Sequence, residues 1–402
     1  MRKIDLTNFH VATSETARHI NRRIALNIIR RYQPMSRADL ARRSGLQRST
    51  VSAIIGQLIA EGWVTEGASP ISGRGRRPRF LHLNVERAGI VAVDLRPVTT
   101  RVGLAGLDAR FLMQTAWPTP DTPEEFASEI AKTVASFRSA HPEIVYEGMG
   151  VSLPGRVDPA GRLVFAPNLH WGPVQIRQLL ESAVGLPVVV ENAACACALA
   201  ELWFGRQPDD VRHLVAVTVS EGIGVGMLLN GQLIHGSDAM AGEFGHVTLD
   251  EDGPPCSCGK RGCWERYASN SAAVQYYQGL VGNAHMPSGP SPSAAAPTFT
   301  DILRLADEGD ALAIKTLEHM ARQLGIGLAP IVTGLAPQVV VIVGEVTAAW
   351  DRVGPIVLDV VKRRTLPSNT AQIVPTDPAT QPRLRGAVTL VVQQHFGAPQ
   401  VA

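Results

Sequence analysis

Cysteine is scarce in this sequence. Five cysteines are spread over 402 residues, too few for the disulfide frameworks that stabilise small secreted domains. Three of them, Cys256, Cys258 and Cys263, nevertheless fall within eight residues. Because thiols crowded in this way are typical of metal ligands, the pattern predicts a metal site. Cys195 and Cys197 lie on a predicted helix, where we expect small buried apolar groups.

Long apolar runs are also missing. No stretch is long enough to span a bilayer, and the opening residues Met1–Asp5 lead into polar sequence instead of the apolar segment of a signal peptide. We therefore expect a cytoplasmic protein with no membrane partner. A chain of 402 residues with 45% hydrophobic residues has enough apolar content for two or three separate cores.

The small net charge conceals an uneven distribution. The formal net charge is +2, but residues 1–80 contain 15 Lys and Arg against 5 Asp and Glu, while the remaining residues contain 23 against 31. A compact basic segment is typical of nucleic-acid binding, although a solvated basic surface has the same composition. The predicted secondary structure of this segment therefore distinguishes nucleic-acid binding from a solvated basic surface.

Three helices are predicted in the basic segment. Apolar residues at helical spacing predict the first over 16–31 and the third from about 48 to 61. Between them, Ser36 and Asp39 have the spacing of a cap for a short helix over 37–43, and a glycine turn follows. This order indicates a helix-turn-helix, in which the second helix of the motif lies in the major groove of DNA.

Two short strands and an arginine-rich loop follow and predict a wing. The strands are expected at 62–64 and 80–83, with a turn from Gly67 to Gly75. Flexible arginines suit a narrow minor groove or the phosphate backbone. The complete order of helix, turn, helix and wing favours DNA binding over an unstructured basic linker. The candidate DNA-binding residues are Arg37, Gln47, Arg48, Ser49, Thr50, Ser52, Arg74, Arg76 and Arg77.

From residue 90 onwards, short apolar strands alternate with helices in two similar series. The first series has strands near 90–94, 101–106, 111–116 and 145–151 and a helix near 123–139. The second has a strand at 213–219, a hairpin at 223–234, a strand at 338–343 and helices near 310–334 and 347–364. This repetition predicts two similar α/β lobes with a cleft between them. The Pro, Ser and Ala-rich segment 286–300 is expected to be a loop without a core of its own.

A histidine completes the cysteine motif. His246 precedes Cys256 by ten residues, and the intervening and following glycines let the chain wrap tightly. Three thiolates and one imidazole form a tetrahedral set that suits zinc and leaves no position open for water. The sequence therefore predicts one structural Zn²⁺ ion per chain, held by His246, Cys256, Cys258 and Cys263. A redox role for the cysteines would not require the histidine.

These motifs together resemble the ROK family (repressors, open reading frames, kinases). The resemblance is carried by Gly242-Glu243-Phe244-Gly245-His246 and by the pattern Cys-x-Cys-Gly-x-x-Gly-Cys-x-Glu that ends at Glu265. It covers nearly the whole chain, and the helix-turn-helix is similar to that of the family's repressors. Further matching segments are Leu153–Gly155, Ala166–Leu169, Glu191-Asn192 and Gly222–Gly226.

The resemblance implies an actin-like, ribonuclease-H-like duplicated α/β fold behind the winged helix-turn-helix. We expect the DNA-binding domain over 1–85 and the sugar-kinase-like domain over 86–402. Lobe one is expected over about 86–190 and lobe two over about 191–385, with a C-terminal helix returning to lobe one. The zinc-binding loop is expected over 242–266.

The resemblance also implies a sugar site between the lobes. Sugar hydroxyls both donate and accept hydrogen bonds, so amides and carboxylates suit them, and a zinc-bound histidine is rigid. Taken singly, each matching residue is equally well explained as a capping or surface polar group. By position, the family's hydroxyl-binding groups correspond to Asn168, Asn192, Glu243, His246 and Glu265.

The parts needed for kinase activity are altered. Phosphoryl transfer requires a base and a backbone cradle for phosphates. Family kinases carry an aspartate directly after the Glu-Asn pair, where this sequence has Ala193, which cannot accept a proton. The phosphate loops read Arg96-Pro97-Val98, Ser220-Glu221 and Gly344-Glu345, which lack a backbone N–H or add negative charge. We therefore predict a domain that binds no ATP and is not an enzyme.

The sequence thus predicts a repressor-type regulator of carbohydrate-metabolism genes. In this hypothesis a homodimer or homotetramer binds operator DNA and is gated by a sugar or sugar phosphate between the lobes. Two alternatives remain open at this point. One is an active sugar kinase with a regulatory N-terminus, and the other is a regulator gated by a protein partner instead of a sugar.

Overall fold

The chain forms a small helical domain followed by two five-stranded sheets with flanking helices. No helix in the described part of the chain is both long and apolar enough to cross a membrane. The computed structural model describes residues 14–68, 79–85, 88–205, 207–208, 210–284 and 297–397.

The N-terminal elements are the predicted helix-turn-helix and wing. They are α1 (Ser14–Tyr32), α2 (Arg37–Ser44), α3 (Arg48–Ala60), β1 (Val64–Ala68) and β2 (Arg79–Leu83). The predicted cap of α2 is confirmed, because the side chain of Ser36 accepts from the N–H of Asp39 and the side chain of Asp39 accepts from the N–H of Ser36. Gly45 ends α2 with a φ of +72°, a left-handed conformation that glycine adopts without strain.

The first wing strand lies further along the chain than predicted. The sequence pattern predicted it at 62–64 and a turn from Gly67, whereas β1 begins at Val64 and continues through Gly67. The reason is that Gly62, at φ +77°, turns the chain after α3. Trp63 then packs into the core before the strand begins.

Lobe one contains a mixed sheet and two helices. Its elements are β3 (Ala88–Asp94), β4 (Thr99–Ala105), β5 (Phe111–Pro118), α4 (Pro123–Ala140), β6 (Val145–Leu153), β7 (Arg156–Val157), β8 (Leu163–Phe165), α5 (Ile176–Val184) and β9 (Val188–Asn192). The sheet order is β5-β4-β3-β6-β9, with β3 antiparallel to β4 and parallel to β6.

Lobe two repeats this topology, which confirms the predicted duplication. Its elements are α6 (Ala193–Phe204), β10 (Leu214–Val219), β11 (Ile223–Leu229), β12 (Gln232–Leu233), α7 (Glu265–Ala268), α8 (Asn270–Ala284), α9 (Phe299–Asp307), α10 (Ala311–Leu335), β13 (Val339–Gly344), α11 (Trp350–Arg364) and β14 (Gln372–Pro375). The C-terminal helix α12 (Pro382–Phe396) packs against β3 and β6 of lobe one. The sheet order is β12-β11-β10-β13-β14, with β10 antiparallel to β11 and parallel to β13.

The winged helix-turn-helix shares one hydrophobic core with lobe one. A continuous buried cluster contains Leu26 of α1, Ile90 of β3 and Phe396 of α12. The ring of Phe396 meets Trp63 edge-on at 6.0 Å and Trp203 of α6 at 6.5 Å. This cluster crosses the predicted domain boundary at residue 85, so the domain limits stay predictions. We expect the winged helix-turn-helix and lobe one to unfold together.

Replacing Phe396 with alanine is expected to lower the free energy of unfolding by about 3–5 kcal/mol, because it empties a fully buried ring site. Urea denaturation followed by far-UV circular dichroism measures the change. Leu366→Ala, at a side chain that is 71% exposed, is the control and should stay within about 0.5 kcal/mol of the parent. A decrease in the free energy of unfolding below about 1 kcal/mol for Phe396→Ala would show that this side chain does not stabilise the shared core.

Candidate functional site

A cleft between the lobes brings together all five residues predicted to bind hydroxyl groups. Asn168 and Asn192 line it from lobe one, and Glu243, His246 and Glu265 line it from lobe two. Glycine keeps one part of the cleft open. A Cβ atom on Gly222 would lie 2.7 Å from Glu265 Oε2 and 3.6 Å from Asn168 Nδ2.

Asn192 has a structural task as well as a position in the cleft. Its Oδ1 accepts from the backbone N–H of Ala194 at 2.8 Å and of Cys195 at 3.4 Å, which caps the N-terminus of α6. Its Nδ2 donates to the carbonyl oxygen of Gly155 at 2.8 Å. These hydrogen bonds hold the side chain rigidly. They leave one amide proton of Asn192 for a ligand.

An ion pair that the sequence did not reveal lies beside Asn192. The Nε2 atom of His235 is 2.8 Å from Glu191 Oε2, and both residues line the cleft. The hydrogen bond with Glu191 raises the pKa of His235 above its ordinary value. The pair connects lobe one to the hairpin of lobe two, and the other oxygen of Glu191 accepts from the N–H of Asn192 at 2.8 Å.

Glu243, His246 and Glu265 form a second polar group on the opposite wall. His246 Nε2 lies 3.8 Å from Glu243 Oε2, and His246 Nδ1 lies 3.5 Å from Glu265 Oε1. Burial raises the pKa of Glu243, although the side chain remains 39% exposed towards the cleft. Each ring nitrogen of the imidazole therefore faces a different neighbour.

The four predicted zinc ligands form one compact cluster. The ligand atoms of His246, Cys256, Cys258 and Cys263 all lie within 4.8 Å of one another. Cys258 Sγ is 3.6 Å from Cys263 Sγ, and Cys256 Sγ is 3.6 Å from His246 Nδ1. Sulfur atoms on a tetrahedral zinc ion with bonds of about 2.3 Å lie about 3.8 Å apart. The donor set and its spacing are thus consistent with a zinc site.

Tight turns and one tryptophan hold this loop. Gly262, at φ +62°, leaves no space for a side chain, since a Cβ atom would lie 1.6 Å from the carbonyl oxygen of Asp250. The N–H of Cys256 donates to the carbonyl oxygen of Lys260 at 2.8 Å. Trp264, directly after the last cysteine, is buried against α10 and donates from its indole to Gln323. The loop is therefore anchored in the core of lobe two.

The remaining two cysteines are buried on α6, as expected. Burial raises the pKa of Cys197 to about 12 and that of Cys195 well above its ordinary value. Both thiols therefore stay protonated at neutral pH, unlike the thiolates that bind metal.

A charged network crosses the cleft beside the ligand pocket. Asp94, at the end of β3, accepts from Arg383 of α12 at 2.8 Å and from Arg96 at 2.9 Å. Arg96 also donates to Glu345, after β13 of lobe two, at 2.9 Å. Glu345 accepts in addition from Asn270 of α8 at 3.0 Å. The segments that carry Arg96 and Glu345 thus contact each other directly across the two lobes.

The network keeps its carboxylates charged. Burial alone would raise the pKa of Asp94, which is 2% exposed, but Arg383 and Arg96 hold it below its ordinary value. Burial likewise opposes the charged form of Glu345, and Arg96 lowers the pKa of that carboxyl. Because both pKa values are lowered, the stability that the network contributes is present at neutral pH and lost as the pH falls through the folded-state values.

Five of the candidate DNA-binding residues lie at the N-terminal end of α3. Gln47, Arg48, Ser49 and Ser52 are exposed around the N-terminus of α3, and Thr50 is half-buried. Their contact with DNA stays a prediction.

Arg37 has an internal partner, because its Nε atom donates to Glu66 of the wing at 2.7 Å. Its Nη1 atom donates to the carbonyl oxygen of Ser52 at 3.4 Å, so Arg37 reaches a phosphate only through its remaining donors. The wing-loop candidates Arg74, Arg76 and Arg77 lie outside the described residues.

The partners that sequence reasoning missed are all distant in the chain. Glu345 follows Arg96 by 249 residues, and Arg383 follows Asp94 by 289. The sequence did signal that Arg96 and Glu345 replace phosphate-loop residues, but spacing gives no sign that they form an ion pair. Arg156, whose Nε atom is buried in the cleft without a hydrogen-bond partner, gave no signal at all.

The fold and site define a two-lobed, sugar-kinase-like domain behind a winged helix-turn-helix. A model of the ROK family matches residues 90–394, and a model of the MarR family matches residues 21–75. The first match spans well over half of the sequence, and the chain therefore belongs to the ROK family, as a regulator with a MarR-like helix-turn-helix.

Known relatives include both regulators and enzymes. The xylose repressor of Bacillus subtilis (strain 168) is 30% identical over 335 residues, which cover 83% of this chain and 84% of the relative. A crystal structure of a ROK family transcriptional regulator, homolog of the E. coli MLC protein, has a TM-score of 0.80 at 23% identity over 94% of this chain and 98% of that one. A ROK family glucokinase from Streptomyces griseus, in complex with glucose and AMPPNP, has a TM-score of 0.67 at 29% identity over 75% and 98%.

Replacing Cys258 with serine should lower the zinc content per chain and the melting temperature together, because a tetrahedral site loses one of its thiolates. Mass spectrometry of the metal and thermal denaturation measure the two quantities. Cys197→Ala, at a buried thiol outside the cluster, is the matched control and should keep its zinc. Unchanged zinc in the Cys258 variant would remove that residue from the ligand set.

The Arg96–Glu345 contact should contribute measurably to the coupling of the two lobes. In a double-mutant cycle of Arg96→Ala and Glu345→Ala, the interaction free energy is expected to be about 1–3 kcal/mol, because the pair is partly buried and hydrogen-bonded. Urea denaturation at pH 7 supplies the four values.

The control cycle uses Arg304 and Glu308, which are exposed and lie 2.8 Å apart on adjacent turns. Their interaction free energy should be clearly smaller than that of Arg96 and Glu345, because solvent screens an exposed pair. Equal values for the two pairs would mean that the network does not bind the lobes together.

Proposed function

We propose that this regulator represses carbohydrate-metabolism genes and that a sugar bound between its lobes controls its affinity for operator DNA. The observation that carries the proposal is the convergence of five hydroxyl-binding candidates in one cleft, in a chain that also presents an exposed helix of a helix-turn-helix. The similarity to the xylose repressor of Bacillus subtilis supports a carbohydrate effector.

The chemistry of the cleft supports a polyhydroxylated ligand. Carboxylates accept the protons of sugar hydroxyls, whereas amide and imidazole N–H groups donate to the hydroxyl oxygens. Glu243 and Glu265 supply acceptors on one wall, and Asn168 and Asn192 supply amide groups on the other. Donors and acceptors on opposite walls require both lobes for full binding, so the ligand favours one arrangement of the lobes over others.

Zinc is proposed to act structurally in this site. Held by His246, Cys256, Cys258 and Cys263, it would fix the loop that carries Glu243 and Glu265. His246 Nδ1 faces the thiols, so its Nε2 atom remains directed to Glu243 and the cleft. An imidazole fixed in this way presents one defined tautomer to a ligand.

The DNA-binding role of α3 is supported by exposure and charge. Gln47, Arg48, Ser49 and Ser52 are exposed side chains that reach base edges and phosphates when such a helix enters the major groove. In a homodimer, two copies of α3 would meet two half-sites of a near-palindromic operator.

Helix α6 offers a direct route between the two sites. Its N-terminal end is capped by Asn192 in the cleft. At its C-terminal end, the carbonyl oxygen of Trp203 accepts from Arg30 of α1 at 3.1 Å, and the guanidinium of Arg30 lies 4.8 Å from the centre of the Trp203 ring. A shift of α6 between lobe arrangements would therefore move α1 and the helices packed on it.

Two observations disfavour the kinase alternative. The position after Asn192 is Ala193, which is buried at the start of α6 and has no group that accepts a proton. In addition, Arg96 is already held by Asp94 and Glu345, so it offers little to a nucleotide phosphate. The alternative of a protein effector is separated from the sugar hypothesis by the following experiment.

Fluorescence anisotropy of the full chain on labelled DNA from upstream of its own gene, titrated with a panel of sugars, tests the proposal. One sugar is expected to change operator affinity by about 5–150-fold, which corresponds to a coupling free energy of about 1–3 kcal/mol. Glu243→Ala should abolish this change because the sugar loses a carboxylate acceptor. The zinc content of the Glu243→Ala variant should stay at one ion per chain. This result would exclude unfolding of the zinc-binding loop as the cause.

Arg48→Ala is the matched control on the DNA side. It should weaken operator binding and reduce its salt dependence while leaving sugar affinity, measured by calorimetry, unchanged. Tight operator binding that no sugar alters would reject the sugar hypothesis and favour a protein partner.

A further inference from the structure

Negative charge predominates along the wall of the cleft. Besides the two asparagines, the cleft is lined by four carboxylates but only two guanidinium groups, Arg156 and Arg383. The carboxylates come from both lobes and are Glu191, Glu221, Glu243 and Glu265. A ligand that carries negative charge would therefore enter a field of its own sign.

Most of the positive charge in the cleft is already neutralised. Arg383 donates to Asp94 at 2.8 Å and to the carbonyl oxygen of Leu95 at 3.3 Å. His235 is paired with Glu191. Arg156 differs, because its Nη1 atom contacts the sulfur of Met240 and its Nε atom is buried without a hydrogen-bond partner in the described part of the chain. One free N–H of this kind suits a neutral hydroxyl oxygen as a partner.

Two backbone features disfavour phosphate binding at the end of the cleft that Pro97 lines. Pro97 lines it and has no N–H, and the N–H of Ser220 is used by the carbonyl oxygen of Gly222 at 3.0 Å. Beyond this end lies the cavity around Arg96, whose guanidinium is held by two carboxylates. Arg101 also borders that cavity, but it is exposed and does not line the cleft.

We propose that the effector is an uncharged, unphosphorylated sugar and that Glu221 contributes to the rejection of phosphorylated forms. The inference rests on the proposed function and specifies its ligand. Both oxygens of Glu191 already have partners, His235 and the N–H of Asn192. The other three carboxylates of the lining accept from ligand hydroxyl groups, and Arg156 donates to a hydroxyl oxygen. A phosphate dianion beside Pro97 would instead meet the negative charge of Glu221, whereas the guanidinium of Arg156 is directed to Met240. Such like-charge contacts are an effective means of discrimination.

Calorimetry of the zinc-loaded full chain with matched sugar pairs tests the inference. The pairs are glucose with glucose 6-phosphate and N-acetylglucosamine with its 6-phosphate, and xylose is added as a neutral pentose. At least one neutral sugar is expected to bind, and about tenfold or more tighter than its phosphate where a pair exists. The anisotropy assay should rank the same compounds in the same order.

The outcomes separate this inference from the proposed function. If a phosphorylated sugar binds as tightly as its neutral partner, or tighter, the inference is wrong while control by a sugar survives. Arg156→Gln would then identify the phosphate contact if it removed that binding. If no compound of either kind binds while operator DNA is bound tightly, both the inference and the proposed function are wrong.

Glu221→Gln tests the assigned residue. Removing its charge should reduce the preference for the neutral member of a pair by about fivefold, since one like-charge contact with the phosphate disappears. Glu124→Gln, at an exposed position on α4 far along the chain from the cleft residues, should leave the preference unchanged. An unaltered preference in the Glu221 variant would overturn the role assigned to that carboxylate.

Discussion

The close packing of α6 against α12 is the constraint on which the rest of the structure depends. Every residue from Ala193 to Ala200 is buried. A Cβ atom on Gly386 of α12 would lie 2.7 Å from the carbonyl carbon of Ala196, and one on Gly150 of β6 would lie 1.8 Å from the carbonyl oxygen of Ala387. Because only small residues fit, the two helices are held at one spacing between the sheets, with little freedom to deform.

This packing explains how one chain joins a cleft to a helix-turn-helix. Asn192 fixes one end of α6 in the cleft, and Arg30 holds the other end against α1. Arg23 and Asn27 of α1 donate in addition to backbone carbonyls at the end of α12. A helix that is closely packed along its length transmits displacement as a rigid body, which is the property that the proposed control of DNA binding requires.

Features that depend on residues close together in the chain could be predicted from the sequence. Contacts between residues far apart in the chain could not. The cap at Ser36, the helical periodicities and the duplicated strand order are local patterns, and the zinc cluster spans only eighteen residues, so each was visible in the sequence. Arg96, Glu345 and Arg383 become neighbours only when three distant segments fold together. Asn192 shows a subtler limit, because its role as a cap was one interpretation of the sequence, and the structure joins that role to a position in the cleft.

The charges of the network support the proposal that the cleft binds no nucleotide, and this support does not depend on the residue at position 193. Asp94 and Glu345 carry two negative charges, and Arg96 and Arg383 carry two positive ones, so the group is neutral as it stands. A nucleotide phosphate would have to displace Glu345 from Arg96 and leave that partly buried carboxylate without a cation. Because the pair is only partly buried, separating it costs on the order of 1–3 kcal/mol. Under this proposal, Ala193→Asp would supply a base, but the Arg96–Glu345 pair would still oppose the binding of ATP.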